Sequence, residues 1–287
     1  MTEIPGKTAF ITGGSNGIGL GIAKAFVRRG ANVMIAGQNK NRLDNAVKEL
    51  RDIGAAEVDG VVCNVANIEA VRAAAEATIS RFGNVHLLVN NAGVSLKGRV
   101  GEIAIEDWKW IVDINLMGVV HGVEVFTPLI RATGEGGHII NTSSITGHLA
   151  GAGFGPYMAT KFAVVGYSES LRADLESENI FVSCFCPGFV KTDIAKKEMR
   201  RPSGGLDESF LQTDPLQAMV KDGLSAEPVG EWMAECVEEN RLHIFTDPFF
   251  MSLIEARTKG ILADYQAIVD DGRFTEACEL AAARRNP

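Results

Sequence analysis

Short apolar runs rich in β-branched residues alternate with longer stretches of helical periodicity along most of the chain. In the second helical stretch, Leu43, Ala46, Val47 and Leu50 follow the i, i+3, i+4, i+7 pattern of one buried helix face. Helical crossovers between parallel strands are right-handed, so the helices cover both faces of the sheet. We therefore predict an α/β fold with a doubly wound, parallel seven-stranded sheet in three layers. The predicted strands are 8–12, 31–36, 58–63, 86–89, 137–142, 181–186 and 242–246, and the predicted helices are 18–29, 41–53, 68–82, 107–131, 157–178 and 227–239.

Two segments interrupt this alternation. Residues 193–228 are polar, contain several Pro and Gly, and follow the sixth strand at the edge where such sheets bind ligands. Loops of this length inside a compact domain are uncommon and are usually functional, so we predict a substrate lid. Residues 248–287 form a C-terminal extension with a helix-like run, IEARTKGILADYQAIV. Since single α/β domains often reach this length, we expect residues 1–287 to form one domain.

A glycine-rich turn, TGGSNGIG, directly follows the first predicted strand and opens a helix. Glycines allow the tight turn and let the backbone approach a pyrophosphate, whose charge is favoured at a helix N-terminus. The strand, turn and helix occupy the first βα unit, the context expected for dinucleotide binding in a Rossmann-type sheet. The predicted contacts in this turn are Gly13, Ser15, Asn16, Gly17, Ile18 and Gly19.

The end of the second strand indicates which dinucleotide is preferred. NAD-binding proteins carry an Asp or Glu here for the ribose hydroxyls, whereas this chain has Gly37, Gln38 and Asn39. No acid repels a 2′-phosphate, and Lys40 and Arg42 are near enough in sequence to attract one. We expect NADP(H) to be favoured, with NAD(H) as the alternative and with Gln38 and Asn39 at the adenosine.

Composition and charge exclude other classes. The formal net charge is −8, and no basic block is interleaved with aromatic residues, so we expect no nucleic-acid partner. The first strand begins too early to leave room for a signal peptide, and no apolar run reaches about 18 residues, so we expect a cytoplasmic protein without a membrane anchor. Five cysteines without CxxC spacing and five scattered histidines predict reduced thiols and no metal site.

Six motifs in order resemble the short-chain dehydrogenase/reductase family, in its single-domain branch, over about residues 5 to 245. This resemblance implies an NAD(P)-dependent oxidoreductase that interconverts a secondary alcohol and a ketone. The motifs are TGGSNGIG at 12–19, NNAG at 90–93, Asn115 in INLMG, Ser144 in NTSSITG, YMATK at 157–161 and PGFVKT at 187–192.

The resemblance also assigns the remaining cofactor contacts. Asn64 and Val65, after the third strand, would meet the adenine, although the family more often has Asp in place of Asn64. In NNAG, Asn91 and Gly93 would approach the adenosine and ribose. In PGFVKT the nicotinamide carboxamide and diphosphate would be framed by Pro187, Gly188, Val190 and Thr192.

Tyr157 and Lys161 are spaced i and i+4, which puts both on one face of a helix. Hydride transfer to a ketone requires a proton donor, and the reverse reaction requires a base. A phenol with a pKa of about 10 is a poor base near neutral pH, because about three pKa units correspond to roughly 4 kcal/mol. We expect the Lys161 cation to stabilise the phenolate. The resemblance implies that Lys161 also binds the nicotinamide ribose.

Two further polar residues complete the predicted catalytic set. A serine after the fifth strand would polarise the substrate oxygen; Ser143 and Ser144 both qualify, and the family spacing favours Ser144. Asn115, within the predicted helix 107–131, would by resemblance hold a water that links Lys161 to solvent.

The predicted substrate pocket is largely apolar, which indicates a hydrophobic or aromatic alcohol or ketone. The lid and the C-terminal extension with HIFTDPFF are similar to bacterial family members that oxidise benzylic alcohols of lignin-derived aryl ethers, although those relatives tend to have an acid at Gly37. The predicted walls are Ser95, Leu96, Ile145, residues 149–154, Phe189 and the lid.

By analogy with the family, we expect a homodimer or homotetramer formed through helices 107–131 and 157–178. Apolar residues on several sides of these helices fit burial against both a sheet and a partner, although packing within a monomer also explains them. They include Trp110, Val119, Val123, Phe162 and Val165.

Two other functions fit parts of the pattern. A non-catalytic nucleotide-sensing module would be favoured if Tyr157 or Lys161 were missing, and both are present. An acyl-carrier-protein ketoreductase would need a basic rim beside the lid, for which the chain offers Lys196, Lys197, Arg200 and Arg201.

Overall fold

The computed structural model describes residues 2–197, 200–204 and 215–285. The chain divides into two compact units, Met1–Asp247 and Pro248–Pro287. The second unit begins where the C-terminal extension was predicted to begin, and the assignment of residues 1–287 to one domain stays a prediction.

The first unit is built on a seven-stranded sheet with the order β3-β2-β1-β4-β5-β6-β7, in which every pairing is parallel. The chain moves outward in one direction from β1 to β3 and in the other from β4 to β7, so the switch point lies between β1 and β4. Ligands bind at this point, beyond the carboxyl ends of the strands. The predicted fold class is confirmed. The strands are β1 Thr8–Thr12, β2 Asn32–Gly37, β3 Val58–Val62, β4 Leu87–Asn90, β5 Gly137–Thr142, β6 Ile180–Cys186 and β7 His243–Phe245.

Asparagine side chains cap the N-termini of three helices. Asn16 Oδ1 accepts from Gly17 N, Asn39 Oδ1 from Arg42 N and Asn67 Oδ1 from Glu69 N, and each bond satisfies an otherwise unpaired helix N–H group. The helices of this unit are α1 Gly17–Arg28, α2 Lys40–Arg51, α3 Ile68–Phe82, α4 Ile105–Val112, α5 Gly118–Thr133, α6 Gly155–Leu175, α7 Ile194–Lys197, α8 Pro215–Lys221 and α9 Ala226–Glu238.

Two hydrophobic clusters lie on opposite faces of the sheet. On one face, Phe26 of α1 and Met233 of α9 pack with Phe185 of β6. On the other, the ring of Phe126 in α5 stacks on Phe10 of β1 at a centroid distance of 4.3 Å. Burial of such side chains contributes about 1.5–3 kcal/mol each, so both helix layers are held by the sheet.

The predicted helix 107–131 is interrupted by a π-helical turn, Asp113–Met117, between α4 and α5. The sequence pattern did not reveal this turn, because one wider turn hardly changes the apolar periodicity. π turns are rare and often lie at functional sites, and this one contains Asn115. Ile105–Thr133 is long and apolar enough to cross a bilayer by composition, but its apolar residues Phe126 and Ile130 belong to the core.

The predicted lid, residues 193–228, is not a loop throughout. It contains α7 and α8 and includes the first residues of α9, and Leu224 pairs in parallel with Val190 through an isolated bridge. Residues 198–199 and 205–214 lie outside the described part of the chain.

The second unit consists of α10, Met251–Asp271, and α11, Thr275–Arg285, after a short 3-10 turn. α10 contains the helix-like run predicted from the sequence. It has no buried residue.

Candidate active site

Tyr157 and Lys161 lie one turn apart on α6, as predicted. Lys161 Nζ lies 5.6 Å from the centroid of the Tyr157 ring and donates a hydrogen bond to the Thr142 carbonyl oxygen at 2.9 Å. Only 4% of Lys161 is exposed, so β5 holds its ammonium in place beside the phenol. The end of β5 and the first turns of α6 therefore meet at the carboxyl edge of the sheet.

Burial is the largest effect on the pKa of Tyr157 and raises it above its ordinary value. A hydrogen bond with the Ser144 side chain acts in the opposite direction and lowers the pKa. Desolvation of the phenolate outweighs this hydrogen bond, and stabilisation of the phenolate by Lys161 stays a prediction. A phenol with a raised pKa stays protonated at neutral pH, the state that a proton donor requires.

The structure separates the two candidate serines. Ser143 Oγ donates to the backbone carbonyl of Lys161 at 2.8 Å, so its hydroxyl bonds the residue after β5 to helix α6. Ser144 contacts Tyr157, and its Oγ accepts from Thr146 N at 3.2 Å. Ser144 is thus the serine whose hydroxyl lies beside the phenol.

Asn115 is buried, and its side chain joins the π turn to the loop that follows β4. Its Oδ1 accepts from Val94 N and its Nδ2 donates to Val94 O, both at 2.9 Å, and Nδ2 also reaches Thr160 Oγ1 at 3.3 Å. A Cβ on Gly93 would lie 3.4 Å from Asn115 Oδ1 and 3.8 Å from Lys161 Nζ. The structure therefore brings Asn115, Gly93 and Lys161 together.

The glycine turn leaves little room for side chains. Gly13 and Gly17 have φ values of +65° and +53°, and a Cβ on Gly17 would lie 2.8 Å from Thr192 Cγ2. A Cβ on Gly19 would lie 2.3 Å from the Gly13 carbonyl oxygen. These positions require glycine, and a glycine-lined cradle at the start of α1 fits a pyrophosphate.

Thr12, the last residue of β1, fastens this turn to the NNAG loop, and the sequence analysis did not single it out. Its Oγ1 accepts from Asn91 N at 2.8 Å and from Ala92 N at 3.0 Å. Asn91 Nδ2 donates back to Thr12 O at 3.0 Å. The available signal was a Thr at the end of a buried strand, where an apolar residue would be usual.

Asp193 is a second residue that the sequence analysis missed. Its Oδ2 accepts from Asn16 Nδ2 at 2.7 Å and lies 3.9 Å from Arg42 Nη1, and its Oδ1 lies 3.2 Å from Lys196 Nζ. Burial raises the pKa of Asp193, but the hydrogen bonds from Lys196 and Asn16 and the charges of Lys196 and Arg42 together outweigh burial and lower it overall. The first residue of the lid is thereby an ionised group tied to the glycine turn.

The ends of β2 and β3 carry the residues predicted to contact the adenosine. A Cβ on Gly37 would lie 3.0 Å from Ser15 Oγ, and Gln38 Nε2 donates to Asn64 Oδ1 at 3.1 Å. Val65 is buried below them, and its carbonyl lies 2.8 Å from His121 Nδ1. These residues lie at one edge of the sheet, with Ile18 partly buried against the core beside them, and their contact with the adenosine stays a prediction.

The two cations expected to attract a 2′-phosphate are both paired with carboxylates. Lys40 bonds to Asp44 one turn along α2, and Arg42 lies beside Asp193. Asn39 caps α2. The predicted cations are present, but their charge is partly offset.

The loop after β6 is joined to neighbouring loops at each predicted contact. Ile145 N donates to Pro187 O at 2.9 Å and Gly188 N donates to Thr246 Oγ1 at 3.0 Å, while Val190 pairs with Leu224. Thr192 lies against Gly17. The loop after β6 thus contacts both the residue after Ser144 and the glycine turn.

The predicted pocket walls divide into buried and accessible residues. Ser95, Leu96 and Ile145 are buried, and Leu96 belongs to a small cluster with Val94 and Ile111, against which Tyr157 packs. By contrast Leu149, Phe154 and Phe189 are only half-buried, and residues 150–153 are exposed. The first group is closed to solvent, and the second group is accessible to it.

Asp107 is buried on α4, one turn before Ile111. Its Oδ1 accepts from Ser203 N at 3.0 Å and its Oδ2 accepts from Ser203 Oγ at 2.6 Å, with Arg201 Nε at 3.8 Å. Segment 200–204 of the predicted lid is therefore anchored on α4, the helix that carries Ile111 of the cluster on which Tyr157 packs.

All five cysteines are free, and four of them are buried. Cys184 and Cys186 lie on one face of β6, with their sulfurs 3.7 Å apart. Cys186 Sγ also lies 3.4 Å from His148 Nε2. Within the described ranges, no three His, Cys, Asp or Glu side chains are grouped so as to hold a metal ion.

Comparisons with known proteins agree with this geometry. Residues 7–202 match the family described as short chain dehydrogenase. A C alpha-dehydrogenase of Sphingobium sp. is 34% identical over 99% of this chain and 92% of its own length, and a 3-oxoacyl-[acyl-carrier-protein] reductase of Chlamydia muridarum is 36% identical over 73% and 83%. The crystal structure of a short-chain dehydrogenase/reductase from Burkholderia phymatum in complex with NAD superimposes with a TM-score of 0.86 at 38% identity, covering 92% of this chain and 97% of that one. The chain belongs to the short-chain dehydrogenase/reductase family and is an NAD(P)-dependent oxidoreductase that acts on CH–OH groups.

Proposed function

We propose that the enzyme interconverts a hydrophobic, aromatic secondary alcohol and the corresponding ketone, with Tyr157 as the general acid or base. The observation that carries this proposal is the convergence of Ser144 and Lys161 on the Tyr157 phenol. A bound nicotinamide supplies or accepts the hydride. The chain's own groups position the carbonyl oxygen and move its proton.

In the direction of reduction, the protonated Tyr157 donates its proton to the carbonyl oxygen as negative charge develops there. Ser144 can donate a second hydrogen bond to the same oxygen, since its hydroxyl lies beside the phenol. Lys161 stabilises the phenolate that remains, and its bond to Thr142 O keeps it within reach. In the direction of oxidation, the same phenolate accepts the alcohol proton.

The aromatic substrate class is supported by the half-buried walls. Phe154 and Phe189 are only half-buried and offer apolar surface, and segment 200–204 of the predicted lid is anchored on Asp107. The similarity to a C alpha-dehydrogenase over nearly the whole chain, including the extension, favours a benzylic alcohol.

We propose NADP(H) as the favoured cofactor, with NAD(H) also accepted. Gly37 and Gln38 occupy positions where an acid would repel the 2′-phosphate, and Arg42 can face it. Asp193 offsets part of the Arg42 charge, so the expected preference is modest.

The acyl-carrier-protein ketoreductase is the competing function. Its basic rim is weakened in the structure, because Lys196 pairs with Asp193 and Arg201 bonds within the lid and lies near Asp107. The rim therefore has less free positive charge for an acidic protein than the sequence indicated. A nucleotide sensor is disfavoured because Tyr157 and Lys161 are both positioned for chemistry.

The test is a substrate panel with the purified full-length chain and either NADPH or NADH. The panel contains aryl alkyl ketones, aliphatic ketones of matched size, and a β-ketoacyl thioester both free and on acyl-carrier protein. We expect the highest kcat/KM for aryl ketones. A strong preference for the carrier-bound thioester would instead support the ketoreductase.

A further inference from the structure

The C-terminal helix α10 presents an apolar stripe that its own unit does not cover. None of its residues is buried, and Ile261, Tyr265 and Ile268 are 50%, 70% and 46% exposed. Units of about 40 residues or fewer usually need an additional stabilising contact, such as oligomerisation, because they bury too little surface alone. A stripe of this kind therefore calls for a partner surface.

The stripe follows a heptad pattern. Apolar side chains recur with alternating steps of three and four residues, which is the seam of a two-stranded coiled coil. Thr258 is the polar member, and its hydroxyl is satisfied by the Ile254 carbonyl at 2.9 Å. The seam runs through Met251, Ile254, Thr258, Ile261, Tyr265 and Ile268.

The charges that flank the seam indicate whether a partner helix would run parallel or antiparallel to α10. Arg257 and Asp264 each immediately precede a seam residue, seven positions apart, and both are exposed. In an antiparallel pair these flanking positions face one another, so Arg257 of one helix meets Asp264 of the other, twice around a two-fold axis. In a parallel pair Arg257 would face Leu262 and Asp264 would face Val269, without charge complementarity.

We propose that α10 is a self-association helix that pairs antiparallel with α10 of a second copy of this chain. The expected seam layers place Met251 opposite the other copy's Ile268, Ile254 opposite Tyr265, and Thr258 opposite Ile261. This contact is separate from the interface through α4, α5 and α6 that family analogy implies, and it does not depend on which alcohol the enzyme oxidises.

The direct test is disulfide trapping in the full-length chain with Cys278→Ser, which removes the exposed thiol. One preparation carries Met251→Cys and another, with a tag of different size, carries Ile268→Cys. On mixing under a mild thiol oxidant, we expect a mixed-size cross-linked dimer and little product from either variant alone. Self-cross-linking of each variant alone would mean a parallel pair, and no interchain product would mean that the stripe is covered in another way; either result overturns the proposal.

A matched control uses the opposite face of the same helix. Ser252→Cys and Ala267→Cys would also be level with each other in this antiparallel register, one position inward from Met251 and Ile268, but they lie outside the stripe. We expect no cross-linking on mixing these two. Equal yields from both mixtures would show random collision rather than a defined pair and would also overturn the proposal.

Charge reversal tests the direction independently. Arg257→Asp or Asp264→Arg alone replaces both attractive pairs by repulsive ones, and we expect the trapped dimer to fall by about tenfold. The double variant should restore the wild-type yield, because the swapped charges again face each other across the axis. Lys259→Asp, outside the flanking positions, should leave the yield unchanged, and ketone reduction by all variants reports that the first unit is folded. A double variant as weak as the single ones would contradict the antiparallel arrangement.

Discussion

Asp193 Oδ2 accepts a hydrogen bond from Asn16 Nδ2 at 2.7 Å, and the two residues join the start of the lid to the cap of helix α1. The same carboxylate lies 3.9 Å from Arg42 Nη1. One acidic side chain thus contacts the glycine turn, the helix after β2 and the lid, three elements that are far apart in sequence. We expect the negative charge of Asp193 to repel an anion that binds nearby.

We predict that Asp193→Asn increases the preference for NADPH over NADH. The substitution removes a negative charge beside Arg42 and keeps the side-chain shape, so the 2′-phosphate of NADPH should bind more tightly. The rest of the dinucleotide is common to both cofactors. Because the Arg42–Asp193 pair is partly exposed, the expected gain in the ratio of dissociation constants is about threefold. Titration of both cofactors by fluorescence measures it.

Asp44→Asn serves as the control, since it releases Lys40 from an exposed pair on the same helix. We expect a smaller change for this variant. If Asp193→Asn tightened NADPH and NADH equally, the carboxylate would be acting on the diphosphate, and the assigned role in cofactor choice would be wrong.

The lid anchor at Asp107 is expected to affect substrate binding and not cofactor binding. Ser203→Ala removes the hydroxyl bond to a buried carboxylate, an interaction of about 1.5–3 kcal/mol. We predict an increase in KM for the ketone of about tenfold, with an unchanged dissociation constant for NADPH. Ser203→Thr keeps the hydroxyl and should behave like the wild type. An unaltered KM in Ser203→Ala would show that segment 200–204 does not shape the substrate site.

The raised pKa of Tyr157 predicts opposite pH profiles for the two directions. A phenol that remains protonated up to high pH keeps ketone reduction constant from pH 6 to about 9 and makes alcohol oxidation rise with pH. Ser144→Ala removes the hydrogen bond that lowers this pKa, so the oxidation profile should move to still higher pH. The measurement is kcat/KM against pH at saturating cofactor. A decline in reduction with an apparent pKa near 7 would show that the phenol is activated instead.

His138 is expected to make the fold sensitive to acid. It is fully buried between Thr2 Oγ1 and Ser183 Oγ, each at 2.8 Å, and burial lowers its pKa to about 3 from 6.5. The unfolded chain takes up a proton below pH 6.5 while the folded chain does not, so stability is present above that pH and is lost as pH falls from 6.5 towards 3.

Between pH 6.5 and 5 the expected loss in the free energy of unfolding is about 2 kcal/mol. Urea unfolding at several pH values measures it. His138→Gln, less stable at neutral pH, should lose this part of the pH dependence. The same slope in wild type and variant would assign the acid sensitivity to other groups.

The sequence predicted those features that have a local or periodic signal. The bounds of β1, β5 and α3 agree with the structure because turns and caps such as Asn67 interrupt clear patterns. The i, i+4 spacing placed Tyr157 and Lys161 on one face for the same reason. The Lys40–Asp44 pair has the same i, i+4 spacing and could also be read from the sequence.

The features that the sequence did not predict depend on contacts between residues far apart in sequence or on the exclusion of solvent. Asp193 and Asn16 meet only because β6 and β1 end at the same edge, and no local pattern links them. The π turn at Asn115 inserts one residue into a helix without breaking its periodicity. The pKa of Tyr157 depends on desolvation by the surrounding protein, which residue spacing does not report.

The most direct test of the proposed mechanism is Tyr157→Phe, which removes one hydroxyl and keeps the ring that packs on Val94 and Leu96. We predict that kcat for ketone reduction falls by about 10²–10⁴-fold, while the dissociation constant of NADPH and the melting temperature stay at wild-type values. Turnover within a few-fold of the wild type, with an accepted ketone and intact cofactor binding, would contradict the assignment of Tyr157 as the proton donor.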